Sequence, residues 1–182
     1  DYPDPFCQGL ITQIAKQTGT DADAILIGNG GAEIITLIGK MLAGKNIIIM
    51  EPAFSEYEKV CAKHVCNIFD HYPKEPDWEL NVKEIDLHGI DAVFLCNPNN
   101  PTGVQYPYTT ILELLEACKR TNAYLIMDEA FFDFLEDYQP TPPLLKSYPK
   151  LIILRSMTKM FAIPGLRLGY ALANKEIIDK LS

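Results

Sequence analysis

The chain has 182 residues, 48% of them hydrophobic and 22% charged, with a formal net charge of −8. That length suits one well-buried core, and the composition is that of an ordinary globular protein. An acidic chain without a basic stripe is not built to hold nucleic acid or an anionic membrane surface, and its apolar runs fall far short of the roughly 20 residues of a membrane span. No charged segment followed by an apolar one opens the chain, so a secretory leader is not expected. Five scattered cysteines (Cys7, Cys61, Cys66, Cys96 and Cys118) suit the reducing cytoplasm better than a disulfide framework. Cys61, His64 and Cys66 lie close together, but no second ligand pair follows at zinc-site spacing, so no metal is expected.

In chain order, residues 25–27 form a first short apolar run, followed by Gly28-Asn29-Gly30-Gly31-Ala32-Glu33. From Glu33 to Leu42, the apolar residues Ile34, Leu37, Ile38, Met41 and Leu42 recur at helical steps. The glycines therefore join a strand to a helix, where backbone amides and the helix field can receive an anion. Such a turn also occurs simply as a tight connection. Glu33 stands where a dinucleotide fingerprint needs its last glycine, which disfavours a nicotinamide site.

A second apolar run, residues 46–50, leads into Glu51-Pro52-Ala53-Phe54 and a helix over 54–63. Phe54 either stacks on a planar ring or joins the core. A third run, residues 92–96, is followed by Asn97-Pro98-Asn99-Asn100-Pro101-Thr102-Gly103, whose two X-Pro steps stiffen a turn at a strand end where ligands bind. The spacing of Ile111, Leu114, Leu115 and Cys118 predicts a helix over 110–120.

A fourth run, residues 123–127, ends in Asp128-Glu129-Ala130-Phe131. A carboxylate at the end of a buried strand is costly to desolvate unless a cation or strong donor meets it. A protonated pyridine nitrogen is such a partner, and so are a helix end, a lysine or an arginine. The fifth run, residues 151–154, leads into Ser156-Met157-Thr158-Lys159 and then Ile163-Pro164-Gly165-Leu166-Arg167-Leu168-Gly169-Tyr170, with a last helix over 175–181. An amine among hydroxyls and a guanidinium is what an aldehyde cofactor with a phosphate requires. The proline-rich 139–149 and the stretch 72–81 are expected to be surface connections.

Short buried strands alternating with amphipathic helices predict an α/β fold, a three-layer α/β/α sandwich with a mostly parallel sheet. The glycine turn, Phe54, Asn100, Asp128 and Lys159 all fall just after predicted strands, where open α/β sheets bind ligands.

Asn99-Asn100-Pro101-Thr102-Gly103, Asp128-Glu129-Ala130 and Ser156-Met157-Thr158-Lys159 with Gly165-Leu166-Arg167 resemble the motifs of fold-type I enzymes dependent on pyridoxal 5′-phosphate. Within that class the chain is similar to the histidinol-phosphate aminotransferase and threonine-phosphate decarboxylase group. The resemblance implies that Lys159 forms the internal aldimine and that Asp128 pairs with the pyridine nitrogen. It further implies that Asn100 bonds the 3′ oxygen and that Phe54 stacks on the ring. The backbone of Gly31, Ala32 and Glu33, with Ser156 and Arg167, would hold the phosphate. Tyr2 resembles a tyrosine that reaches the cofactor phosphate of a second subunit, which implies a homodimer.

Phe131 stands where many relatives carry a tyrosine, and Ala32 where the aminotransferases often carry an acid. Phe131, the wording of the lysine motif and Pro52-Ala53-Phe54-Ser55-Glu56-Tyr57 resemble the threonine-phosphate decarboxylases of cobalamin side-chain synthesis. The resemblance implies that residues 1–182 correspond to the large cofactor domain alone. On the same resemblance, the family's small domain, which supplies an arginine for the substrate carboxylate, is not expected within these residues. Decarboxylase, aminotransferase and a cofactor domain without turnover therefore all stay open.

Overall fold

The computed structural model describes residues 5–51, 53, 55–99, 102–130, 132, 139–157 and 168–182. Helix α1 (Pro5–Thr18) precedes β1 (Ile25–Gly28), α2 (Gly31–Met41), β2 (Asn46–Met50), α3 (Ser55–Lys63) and β3 (Asn67–His71). Then follow β4 (Ala92–Cys96), α4 (Tyr108–Thr121), β5 (Tyr124–Asp128), β6 (Leu151–Ser156), β7 (Gly169–Ala173) and α5 (Lys175–Leu181). The seven strands form one sheet in the order β1-β7-β6-β5-β4-β2-β3. The pairs β6–β5, β5–β4, β4–β2 and β2–β3 are parallel, and β7 runs antiparallel to both β6 and β1.

Alternation along the strands builds a separate core on each face of this sheet. Leu125, Met127, Leu151 and Ile153 face Leu10 and Ile14 of α1 and Ile111, Leu114 and Cys118 of α4. Ile126, Ile152, Leu154 and Phe94 face Ile34 and Ile38 of α2, Tyr57 and Cys61 of α3, and Ile177 and Leu181 of α5. The result is the expected three-layer α/β/α sandwich, and every strand and helix expected from apolar patterning is present.

Three elements are present that patterning did not single out. In β3 the edge position leaves Phe69 exposed, so Asn-Ile-Phe-Asp-His carries almost no apolar run. Strand β7 is buried along its whole length, but it is Gly-Tyr-Ala-Leu-Ala, and glycine and alanine are poor strand formers. Helix α1 buries Leu10 and Ile14 one turn apart.

The segment 139–149 is more than a surface connection. Prolines 142 and 143 open a 3-10 helix, Pro142–Lys146, whose Leu144 and Leu145 are buried beside Thr141 and Tyr148. The Tyr148 hydroxyl donates to the carbonyls of Cys118 and Ala123, which ties the segment to the start of β5. Proline here pre-sets helical φ in a first turn and does not merely interrupt structure.

Candidate active site

Six parallel strands (β1 to β6) end at one edge of the sheet, and β7 begins there. Ser156 at the end of β6 is in register with Gly169 of β7, which is in turn opposite Gly28 at the end of β1. Asp128 at the end of β5 is opposite Cys96 of β4 and Leu154 of β6. Strand alternation puts Asp128 and Ser156 on the α2–α3 face, with Ile126 and Leu154 of that core below them. The two residues and the start of α2 thus share one edge and one face.

The glycine turn presses against β7. A Cβ built on Gly169 would lie 2.9 Å from both the Gly30 carbonyl carbon and the Gly31 nitrogen. Gly30 has φ 87°, a conformation that glycine adopts without strain, and its N–H donates to Gly28 O at 2.9 Å. On its other side the turn is open: a Cβ on Gly31 would meet nothing within 4 Å. The first amides of α2, those of Gly31, Ala32 and Glu33, have no carbonyl further up the helix to pair with, so this helix start offers donors to an anion. The Glu33 carboxylate reaches back to accept from Asn29 N–H at 3.2 Å, which closes the turn.

Asp128 is half-buried. Burial pushes its carboxyl up to about 6, against the Ala130 N–H, which donates to Oδ1 at 2.9 Å and favours the charged form; the nearby Glu129 charge adds to the rise. Among the described residues Asp128 makes no ion pair. A carboxylate that has lost water and gained no cation is a ready acceptor for a cationic N–H.

The asparagine turn is spent mostly on itself. Asn97 Oδ1 accepts from Tyr106 N–H at 2.9 Å, and Asn99 Oδ1 accepts from the Thr102 hydroxyl at 2.9 Å. Asn97 and Asn99 thus brace the connection that leaves β4. Near Phe54, the Glu51 carboxylate accepts from Ala53 N–H at 2.8 Å and braces the turn after β2. Of the expected site residues, Gly31, Ala32, Glu33, Asp128 and Ser156 are brought to the one edge. Tyr2, Phe54, Asn100, Lys159 and Arg167 lie outside the described residues, as does Phe131.

Two features of the site were not read from the sequence. Gly169 is required by the close approach of the glycine turn, and only the tertiary contact reveals that. Behind the edge, Glu129 and Arg155 form a buried ion pair at 3.1 Å. Its one sequence signal is a pair of opposite charges, each following an apolar strand.

A strand-end carboxylate, helix-start amides and a serine share one sheet edge, an arrangement that offers an acceptor to a cation and donors to an anion. The model of the aminotransferase class I and II family matches residues 1–182, and the chain belongs to that family of fold-type I enzymes. Threonine-phosphate decarboxylase of Salmonella typhimurium is 38% identical over 172 residues, covering 93% of this chain and 47% of that protein. Histidinol-phosphate aminotransferase 1 of Bacillus anthracis is 35% identical over 190 residues, covering 99% of this chain and 50% of that protein. The crystal structure of the histidinol-phosphate aminotransferase from Clostridium acetobutylicum matches with a TM-score of 0.87 at 33% identity, over 100% of this chain and 55% of that one. The chain thus spans about half the length of the curated relatives it matches.

Membership makes pyridoxal 5′-phosphate the cofactor of this domain. The residues fit it: among the described residues Asp128 has no cationic partner, which a pyridinium N–H would supply, and Gly31 at the start of α2 leaves open space where a phosphate can approach.

Proposed function

We propose that the protein is a pyridoxal-phosphate-dependent enzyme acting on a phosphorylated amino acid or amine, and that its reaction is decarboxylation of O-phospho-L-threonine to aminopropanol phosphate. The observation that carries the cofactor assignment is the desolvated Asp128 carboxyl on the same sheet edge as the start of α2. When bound, the cofactor supplies an electron sink for the bond broken at the substrate's α-carbon.

The chain's own residues divide the remaining work. Asp128 holds a proton on the pyridine nitrogen by accepting its hydrogen bond. The amides of Gly31, Ala32 and Glu33, the Ser156 hydroxyl and the Arg167 guanidinium hold the phosphate. Phe54 covers the ring face and Asn100 donates to the 3′ oxygen. Lys159 would supply the amine that meets the cofactor's aldehyde, and its Nζ would be the group to move a proton at the substrate α-carbon. Tyr2 reaches the phosphate of the other protomer's cofactor, so the working unit is a homodimer. Five free thiols, with Cys61 and Cys118 each pushed up to about 12 by burial, suit a cytoplasmic enzyme.

Phe131, which cannot donate a hydrogen bond where many relatives carry a tyrosine, favours the decarboxylase. The relatives named histidinol-phosphate aminotransferase favour amino transfer from glutamate as the second reading. Incubation with O-phospho-L-threonine is expected to release carbon dioxide. Rapid amino transfer between histidinol phosphate and 2-oxoglutarate without that release would establish the second reading instead. Turnover of neither substrate marks the chain as a cofactor domain without activity of its own. For the cofactor itself, a visible absorbance band that borohydride removes is expected in the wild type and not in Lys159→Ala; a Lys159→Ala protein that keeps the band overturns the assignment.

A further inference from the structure

Glu129 and Arg155 are the immediate neighbours of Asp128 and Ser156. Alternation turns them to the opposite face of the sheet, where their side chains are 0% and 5% exposed. Arg155 Nε donates to Glu129 Oε1 at 3.1 Å, and the Thr141 hydroxyl lies 2.7 and 2.8 Å from the two carboxylate oxygens. The Glu129 N–H donates to Leu154 O at 2.8 Å, and the Arg155 guanidinium carbon sits 4.2 Å from the centre of the Phe132 ring. The ends of β5 and β6 are therefore cross-linked twice, through backbone and through side chains, directly behind the site.

A buried ion pair is a weak source of stability, because desolvating two charges costs about as much as their attraction returns, and an apolar pair of similar volume serves the core equally well. An apolar pair lacks directed bonds, however, and so cannot hold two strand ends at one spacing and rotation. We propose that Glu129, Arg155 and Thr141 form a positioning cluster behind the sheet edge, which holds Asp128 and Ser156 at the separation that the ring nitrogen and the phosphate of one cofactor require. This rests on the cofactor reading above. Through Thr141, the residue that precedes it, the 3-10 segment Pro142–Lys146 is joined to the two cofactor-facing strand ends.

The test is a titration of pyridoxal phosphate into the 182-residue chain, followed by absorbance, together with the pH titration of the Asp128 carboxyl-carbon signal in the cofactor-free protein. Glu129→Gln, Thr141→Val and Arg155→Met are each expected to weaken cofactor binding about tenfold or more, with part of the loss regained in Arg155→Lys. Leu114→Ala, in the same core but on α4, is expected to lower stability and leave cofactor affinity as it was. Glu129→Gln removes a like charge beside Asp128, so the Asp128 midpoint is expected to fall.

Folded Glu129→Gln and Thr141→Val proteins that bind the cofactor as the wild type does would overturn the proposal. So would a Leu114→Ala protein that loses affinity in proportion to its stability. A wild-type chain that takes up no cofactor defeats the cofactor reading. The Asp128 titration then decides on its own, and a midpoint unmoved by Glu129→Gln overturns the cluster.

Discussion

Asp128 carries the sharpest electrostatic consequence of the fold. Its folded-state carboxyl titrates at about 6, above the roughly 3.9 of an unfolded aspartate. The folded chain therefore binds this proton more tightly than the unfolded one. The stability associated with protonated Asp128 is present in full below about pH 4 and is lost as pH rises from about 4 to about 6. Glu129 and Glu51, both also raised by burial, slope in the same direction. The contribution of Asp128 is therefore read as a difference: in cofactor-free protein, the gain in urea midpoint between pH 7 and pH 4.5 is expected to shrink in Asp128→Asn. A pyridinium neighbour reverses the sign for binding, because it needs the charged carboxylate. Cofactor affinity is expected to fall as pH drops through about 6 in the wild type and to lose that slope in Asp128→Asn.

At the scale of elements, the decisive contact is the glycine turn against β7. Gly169→Ala places a Cβ 2.9 Å from backbone atoms of Gly30 and Gly31, and backbone cannot swing aside as a side chain does. The substitution is expected to cost about 1–3 kcal/mol and to weaken cofactor binding by moving the first amides of α2, as measured by urea unfolding and absorbance titration. Gly9 is the counterpart, an exposed glycine in α1 with nothing within 4 Å of a built Cβ. Gly9→Ala is expected to stabilise the chain by about 0.5–1 kcal/mol. Nothing in local sequence separates these two glycines; one lies inside a helix and the other at a strand start. Their opposite outcomes come from what lies across from them.

Across the whole molecule, the sheet insulates two cores from each other, one under α1 and α4 and the other under α2, α3 and α5. Ile111→Val on α4 and Ile38→Val on α2 are each expected to cost about 0.5–1.5 kcal/mol, and the double variant to equal their sum within about 0.5 kcal/mol. Urea unfolding of the three proteins checks this, and a larger departure would show that the layers are coupled through the sheet. The same architecture explains the site: crossovers to both faces leave the ends of β1 to β6 at one edge of the sheet.

Much of this was legible in the chain itself. Ala92–Cys96 and residues 151–154 are continuous apolar runs because their strands are buried on both faces, and α2 and α4 declare their inner sides by helical spacing. The glycine turn and Asp128 could be placed at strand ends from position alone, since each directly follows a buried run. The tertiary structure decided the rest. Strand β7 is buried by its neighbours rather than by its own composition, and the prolines at 142 and 143 start a packed 3-10 turn rather than an exposed loop. Glu129, Thr141 and Arg155 are 12 and 26 residues apart along the chain, measured from Glu129. Pattern within a segment reports how that segment is buried; which distant charges meet behind the site depends on strand order, and strand order is settled only when the sheet assembles.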